Sequence, residues 1–494
     1  MTFPMQIPFN NTYAQLPGHF YARVLPEQAP SPRLIRINEE LAQQLHIDPE
    51  WLRGPEGLAM LSGNSVSQGS EPLAQAYAGH QFGNFVPQLG DGRAILLGEI
   101  TDTQGRHRDL QLKGSGRTPF SRNGDGKAAL GPALREYLVS EAMYALGIPT
   151  TRALAVVATG EEVARQEGML DGAVFARVAS SHLRVGTFQY FAARQDVVAL
   201  EALTRFALQR HFPEALAAEN PALALLEQVI EVQGSLIPRW MGLGFIHGVM
   251  NTDNCSISGE TIDYGPCAFM DSFHPKCVYS AIDRGGRYSW GNQPGILVWN
   301  LTRLAETLLP LISKDDDEAE TLATNALDRL GRKLGDNYHQ VFSEKLGLPT
   351  EGRISRENDA FIRQTLTLLA SQEVDFTHFF RRLTQTVSSE EVQGSNLAAL
   401  FKNPSAFAEW NQAYQQLTAP SGARIDAMRH SNPVLIPRNH RIEEAIQAAY
   451  QGDFVPFHRL ADAWQRPFED NPDYADLQAA PEPHEIVRQT FCGT

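Results

Sequence analysis

The sequence holds little cysteine: four residues, Cys255, Cys267, Cys277 and Cys492, in a chain of 494. So few thiols over such a length do not make a secreted disulfide scaffold, and no two stand in the Cys-x-x-Cys spacing of a structural zinc site. Basic residues are outnumbered, with 42 Lys and Arg against 57 Asp and Glu and a net charge of −15. That balance repels phosphate backbones and anionic lipid, so no nucleic-acid partner is expected. No unbroken apolar run approaches the ~20 residues of a transmembrane helix, and no membrane span is expected. The first residues lack both the basic-then-apolar pattern of a signal peptide and the arginines of a transit peptide. Glycine (39) and proline (30) are not in excess, which excludes collagen-like and low-complexity chains. Internal repeats are missing too. There is no Gly-x-Ser-x-Gly elbow of a hydrolase and no Walker A loop, because Gly126-Lys127 is followed by Ala128 and position 121 is Ser. The default expectation is a cytoplasmic globular enzyme and a monomer. With 43% apolar and 20% charged residues it has ample core, and its length predicts roughly two to four structural units.

The pattern changes along the chain. Residues 1–75 are mixed, with a short helix around Asn38–Leu45 and a Gly/Ser-rich link at Ser62–Pro72. Residues 76–180 carry short apolar runs between glycines. Ala94–Ile100 predicts a buried strand. Asp109–Lys113 alternates, with Leu110 and Leu112 on one face and Gln111 and Lys113 on the other. A helix is predicted over Pro132–Leu146, stopped by Gly147 and Pro149, and further strands over Ala153–Ala158 and Gly172–Ala179. From 181 the period is helical: Pro221–Trp240 and Gly295–Ile312 read as long helices. The acidic run Ser313–Glu320 reads as a helix start or linker rather than a metal site. Residues 321–460 read as amphipathic helices, and the Pro- and acid-rich tail Arg466–Pro483 as extended. The resulting division is 1–75, 76–180, 181–312 and 313–494.

Candidate chemistry begins with phosphate binding. Gly90-Asp91-Gly92-Arg93 precedes a strand, and a glycine-rich turn lets backbone N–H groups approach phosphate oxygens. The loop Lys113–Lys127, KGSGRTPFSRNGDGK, holds four glycines, two lysines and two arginines between a strand and a helix. Lys113 on the strand and Glu136 on the helix are either an ion pair that holds an ammonium against phosphates or a solvated edge lysine and a glutamate favoured by its helix N-terminus. The decisive segment is His247-Gly-Val-Met-Asn-Thr-Asp-Asn254, followed by Ile262-Asp263-Tyr264-Gly265. Magnesium takes hard oxygen donors, which Asn254 and Asp263 supply, and Asp253 is then free to accept a proton. Arg177 and Arg184 are either phosphate clamps or structural ion pairs.

These residues resemble the protein-kinase-like superfamily, and more closely the selenoprotein O family of protein adenylyltransferases. The resemblance is carried by Ala76–Ala94, Leu110–Leu138 and Gly244–Asp271. It extends over nearly the whole chain, to a cysteine or selenocysteine third from the end, here Cys492. It implies an α+β, bilobal protein-kinase-like fold, with a small β-rich N-lobe (76–180), a helical C-lobe (181–312) and N- and C-terminal extensions. It implies transfer of AMP from ATP to Ser, Thr or Tyr hydroxyls of proteins, with magnesium or manganese and with ATP flipped relative to protein kinases. Under it Lys113 and Glu136 pair. Gly90, Gly92, Arg93, Lys113, Asp125, Gly126, Arg177, Arg184 and Asp263 line the nucleotide. Asp253 is the base, and Asn254 and Asp263 are the metal ligands. Two positions depart from ordinary kinases: His247-Gly replaces His-Arg-Asp, and Tyr264 stands in place of Phe. Cys277 follows the Asp263-Tyr264-Gly265 segment, and Cys492 sits on a tail that could reach it. A labile regulatory disulfide, Cys277–Cys492, is therefore expected, with two free thiols as the alternative. Two other activities stay open: γ-phosphoryl transfer by the same site, and a non-catalytic nucleotide-binding scaffold.

Overall fold

A computed structural model describes residues 7–349, 355–388, 396–418 and 422–491. It is a mixed α/β protein. One sheet is built from β1 (Tyr21–Arg23), β2 (Arg33–Ile37), β3 (Leu73–Gln75), β6 (Ala94–Thr101), β7 (His107–Lys113), β8 (Ala128–Ala129), β9 (Arg152–Arg165) and β10 (Gly168–Ala179). Its order is β1-β3-β6-β7-β10-β9-β2, with β8 added beside β10. The intervening strands β4 (Gly79–Gln81) and β5 (Asn84–Val86) form a separate hairpin. A last pair, β11 (Phe245–Ile246) and β12 (Ala268–Phe269), brackets the 247–267 loops. Three sheet strands thus come from residues 21–75.

Alternation in β7 sets the two faces of the sheet. Leu110 and Leu112 are fully buried in a core shared with Leu41, Leu45, Leu52 and Leu61. Those last side chains come from the short helical stretch α1 (Glu39–Gln44), α2 (Pro49–Arg53) and α3 (Pro55–Leu61) and the turn after α1. Gln111 and Lys113 point the other way, as a two-residue period requires. Truncating Leu112 to Ala would leave a cavity here and cost about 2–5 kcal/mol. α1 starts where the Asn38 side chain accepts the Leu41 N–H, and α2 where Asp48 accepts the Glu50 N–H ahead of Pro49.

Helices dominate the remainder. α4 (Leu130–Ala145) crosses the sheet and is followed by α5 (Val185–Ala192), α6 (Val197–His211), α7 (Pro221–Gly242), α8 (Gln293–Ile312) and α9 (Asp316–Leu346). α10 (Arg356–Gln372), α11 (Phe376–Val387), α12 (Pro404–Leu417), α13 (Gly422–Ser431), α14 (Asn439–Tyr450) and α15 (Val455–Ala463) complete the set. The acidic run is a helix start: Asp315 caps α9, and Asp316, Asp317 and Glu318 fill its first turn, where the helix dipole favours anions.

Two sequence expectations need correction, in the β9–β10 hairpin and in the tail. The hairpin β9–β10 runs well past Ala158 and begins before Gly172, because its polar arm pairs strand to strand without an apolar pattern to announce it. Trp290–Ile312 is long and apolar enough to span a membrane by length and composition. Its Leu297, Leu301, Leu304 and Leu308 are instead buried in the main core. In the tail, Pro472–Gln478 closes into a 3₁₀ helix, since Asn471 accepts the Asp473 N–H and Pro472 presets φ.

Candidate active site

Every site residue anticipated from the sequence lines one cavity of about 830 Å³. Its floor comes from β7, β10 and α4, its rim from the 90–93 and 117–127 loops, and its far wall from the 249–266 loops. Glycine is needed at two rim positions. Gly90 and Gly126 both have φ +71°, and a Cβ would lie 2.3 Å from the Phe120 ring at the first and 2.1 Å from the Gly116 carbonyl oxygen at the second.

Cations converge on one carboxylate. Lys113 Nζ donates to Glu136 Oε2 at 2.7 Å and to Asp263 Oδ1 at 2.7 Å. Arg177 Nη1 donates to the same Asp263 oxygen at 2.7 Å and to Glu136 Oε1 at 3.3 Å. Arg184 Nη1 reaches Asp263 Oδ2 at 3.3 Å and the Asp253 carbonyl at 3.0 Å, while its guanidinium lies 4.4 Å from the Tyr77 ring centroid. Burial alone would raise the Asp263 carboxyl, but Lys113, Arg177 and Arg184 hold it well below the usual carboxylate range. Asp263 has φ +64°, a left-handed conformation that costs a non-glycine residue of order 1 kcal/mol or more and concentrates at functional sites.

Asp253 behaves differently. It sits in a 3₁₀ turn, Thr252–Asn254. Burial pushes its carboxyl up to about 6, against the opposing pull of Arg184. Oδ2 accepts from Gln81 Nε2 at 3.4 Å, and the buried Oδ1 has no hydrogen-bond partner. A carboxyl raised to about 6, on a residue that lines the cavity and with one oxygen unpartnered, has the properties of a general base. Asn254 donates from Nδ2 to the Val249 carbonyl at 2.9 Å, which fixes its amide plane. His247 is buried beneath both loops. Its Nε2 donates to the Ile262 carbonyl at 2.9 Å and its ring stacks on Trp240, so it ties one loop to the other.

The sequence reading missed two contributors. Asp91 is buried, accepts from the Gln75 N–H and Gln111 Nε2, and lies 3.6 Å from Arg184. Gln111 in turn accepts from Arg177 Nη2 at 2.6 Å and so aims that guanidinium. The alternation of β7 already placed Gln111 beside Lys113 and could have flagged it. Asp125 accepts the Lys127 N–H and pairs with Arg165 at 2.7 Å, a strut for its loop. Of the cysteines, Cys255 and Cys267 are buried free thiols and Cys277 is a half-buried one. Cys492 lies outside the described residues.

A glycine-lined cationic cleft, with one carboxyl held low and another raised to about 6, has the make-up of a nucleotide-dependent group-transfer site. Comparison with known proteins narrows the class. The family described as protein adenylyltransferase SelO matches residues 4–465. The protein nucleotidyltransferase YdiU of Nitrobacter hamburgensis is 55% identical over 492 residues, covering 99% of this chain and 96% of the relative. Its namesakes in Rhodopseudomonas palustris and Methylorubrum populi are each 54% identical, covering 99% of this chain and 100% and 99% of themselves. The chain belongs to the protein adenylyltransferase SelO family, and it is a nucleotidyltransferase.

Proposed function

We propose that this enzyme transfers AMP from ATP to Ser, Thr or Tyr hydroxyls of proteins, and that the cavity around Asp263 is where it does so. The observation that carries the reading is the convergence of Lys113, Arg177 and Arg184 on Asp263, one loop away from the underused carboxylate of Asp253. The acceptor hydroxyl oxygen attacks the α-phosphorus and its proton passes to Asp253. The bond from the α-phosphorus to the bridging oxygen breaks, and pyrophosphate leaves with that electron pair. Lys113 and Arg177 hold the departing phosphates. Arg177 and Arg184 are almost fully buried, which favours phosphates seated deep in the cleft and the base outward.

Asp263 and Asn254 offer hard oxygen donors that fit magnesium or manganese. Among the described residues no group of three or more His, Cys, Asp or Glu side chains could hold a metal alone, so phosphate and water oxygens must complete the shell. When bound, the ion neutralises charge on the phosphate oxygens. A bilobal, kinase-like division into 76–180 and 181–312 is supported by the cavity lying between the sheet and the 249–266 loops, with the preceding extension adding β1, β2 and β3 to that sheet.

The disulfide Cys277–Cys492 belongs to the same proposal. Thr490 docks beside the Cys277 segment: its N–H donates to the Tyr279 carbonyl at 2.8 Å and its hydroxyl to the Pro266 carbonyl at 2.6 Å. The tail therefore already reaches the Asp263-Tyr264-Gly265 loop two residues before Cys492.

ATP labelled separately at the α- and γ-phosphate tests the reaction. Label reaching a protein acceptor from the α position alone is expected. Label from the γ position alone would make the enzyme a kinase and overturn the reading.

A further inference from the structure

The hairpin β4–β5 is not part of the main sheet, and it leans on the catalytic loop through three successive residues. The His80 N–H donates to Thr252 Oγ1 at 2.7 Å, Gln81 Nε2 to Asp253 Oδ2, and the Phe82 N–H to Asn251 Oδ1 at 3.0 Å. Its outer side carries aromatic rings. His80 and Phe85 lie 5.0 Å apart, and His80 meets the edge of Trp299 on α8 at 5.1 Å. Phe82 packs on Tyr288, whose hydroxyl donates to Asn251 at 2.6 Å. Phe85 remains 41% exposed, unusual for a ring beside a catalytic loop.

Arginines surround this hairpin. Arg287 lies 4.9 Å and Arg303 5.2 Å from the Trp299 ring centroid, and Arg287 also packs against Gly83 at the hairpin turn. Arg194 lies 3.5 Å from the Tyr190 ring centroid and donates to the Pro87 carbonyl at the end of β5. Among the described residues, Arg287 and Arg194 make no ion pair, and Arg303 pairs only with Glu306. The nearby Asp283 carboxylate is occupied in capping the N–H groups of Arg287 and Tyr288. On a chain of net charge −15, three stacked guanidiniums set against the carboxylates of Glu306 and Asp283 are a local basic excess. Stacking fixes the fork of a guanidinium, and Arg194, whose Nη1 serves the Pro87 and Tyr190 carbonyls, keeps Nη2 for a carboxylate.

We infer that the β4–β5 hairpin, with Trp299, Arg287, Arg303 and Arg194, is the acceptor-docking surface, and that it selects protein segments carrying Asp or Glu close to the hydroxyl residue. The inference rests on the AMP-transfer reading and adds the substrate class to it. Gln81 joins the two: a segment lying along the hairpin arrives at Asp253 with its hydroxyl.

Two readouts separate the inference from the reaction. Fluorescent peptides with one acceptor hydroxyl, flanked either by Glu and Asp or by Lys and Arg, are titrated by anisotropy into enzyme loaded with magnesium and a non-hydrolysable ATP analogue. Acidic peptides are expected to bind at least ~10-fold tighter. Arg287→Glu and Arg194→Glu are each expected to remove most of that preference, with ATP affinity and melting temperature confirming a folded variant. Equal affinity of the wild type for both peptides, or an unchanged preference in both folded variants, would overturn the docking surface. Transfer of α-label to the bound acidic peptide is measured in parallel. A binding preference without any label transfer would sink the reaction and leave the surface standing.

Discussion

Lys113 Nζ and Asp263 Oδ1 lie 2.7 Å apart, at the centre of the cleft proposed above to take the triphosphate. With Arg177 on the same oxygen, Asp263 acts as an internal anion that keeps the cations from repelling one another. The two partners therefore differ when removed. Lys113→Ala should lose both ATP affinity and transfer, by ~100-fold or more in rate. Asp263→Asn should lose transfer to a similar degree, yet bind ATP as well as or better than the wild type, because Lys113, Arg177 and Arg184 then keep only Glu136 and Asp91 as counter-charges. Calorimetric titration of ATP alongside α-label transfer checks both. Near-normal transfer in either variant would refute the assignment.

Asp253 gives a pH signature with two signs. Transfer needs its carboxylate ionised, so the rate should rise as pH passes through about 6 and flatten above. Stability runs the other way. The folded carboxyl binds its proton more tightly than the ordinary value of 3.8, so stability is lost as pH rises from about 4 through 6. At roughly 1.4 kcal/mol per pKa unit the loss is on the order of 3 kcal/mol at neutral pH. Asp253→Asn removes the ionisation, so it should be inactive and melt above the wild type at pH 8, with the gap closing near pH 4. Matching melting curves at pH 8 would show that burial does not strain this carboxylate.

The residues that line the cleft were legible because their chemistry leaves local marks. Alternation put Lys113 opposite Leu110 and Leu112, and Asp253, Asn254 and Asp263 break a helical pattern within eleven residues. Gln81 and Asp91 left no such mark. Both are polar residues in tight turns or short strands, and their roles come from contacts with residues distant in sequence. The strands of residues 21–37 were hidden for the same reason: each is too short to show a period, and only its pairing partners define it. Amphipathic patterns announced the C-terminal helices, but a buried stripe does not say which neighbour covers it.

The tail offers a redox prediction. Burial raises the Cys277 thiol, so little of it is thiolate at neutral pH, and mild oxidation should speed up as pH rises. Oxidised enzyme should lose transfer by pinning the strand at Thr490 against Ser280 and the Pro266 loop, and reduction should restore it. Cys277→Ser should be indifferent to oxidant. Equal sensitivity of wild type and Cys277→Ser would place the redox effect elsewhere, and peptide mapping without reductant would show where.

The last prediction concerns how Glu136 is kept in place. Helix α4, which carries it, is backed by α14. The Gly131 N–H donates to the Tyr450 hydroxyl at 3.0 Å, and a Cβ at Gly131 would meet Ile446 at 2.9 Å and that hydroxyl at 3.0 Å. Arg135, one residue before Glu136, donates to the Cys267 carbonyl and pairs with Glu443 on α14 at 3.3 Å. The C-terminal helices thus press α4 toward the sheet, and the Glu136–Lys113 bond depends on that pressure. Gly131→Val should push α4 off α14 and lower kcat by ~10-fold or more, since misplacement on the order of an ångström is felt strongly in group transfer. Tyr450→Phe removes the hydrogen bond but keeps the packing, and should cost only about 1 kcal/mol of stability with little change in kcat. If Gly131→Val folds and turns over normally, the pairing of Glu136 is set by the sheet alone, and α14 serves only to cover the helix.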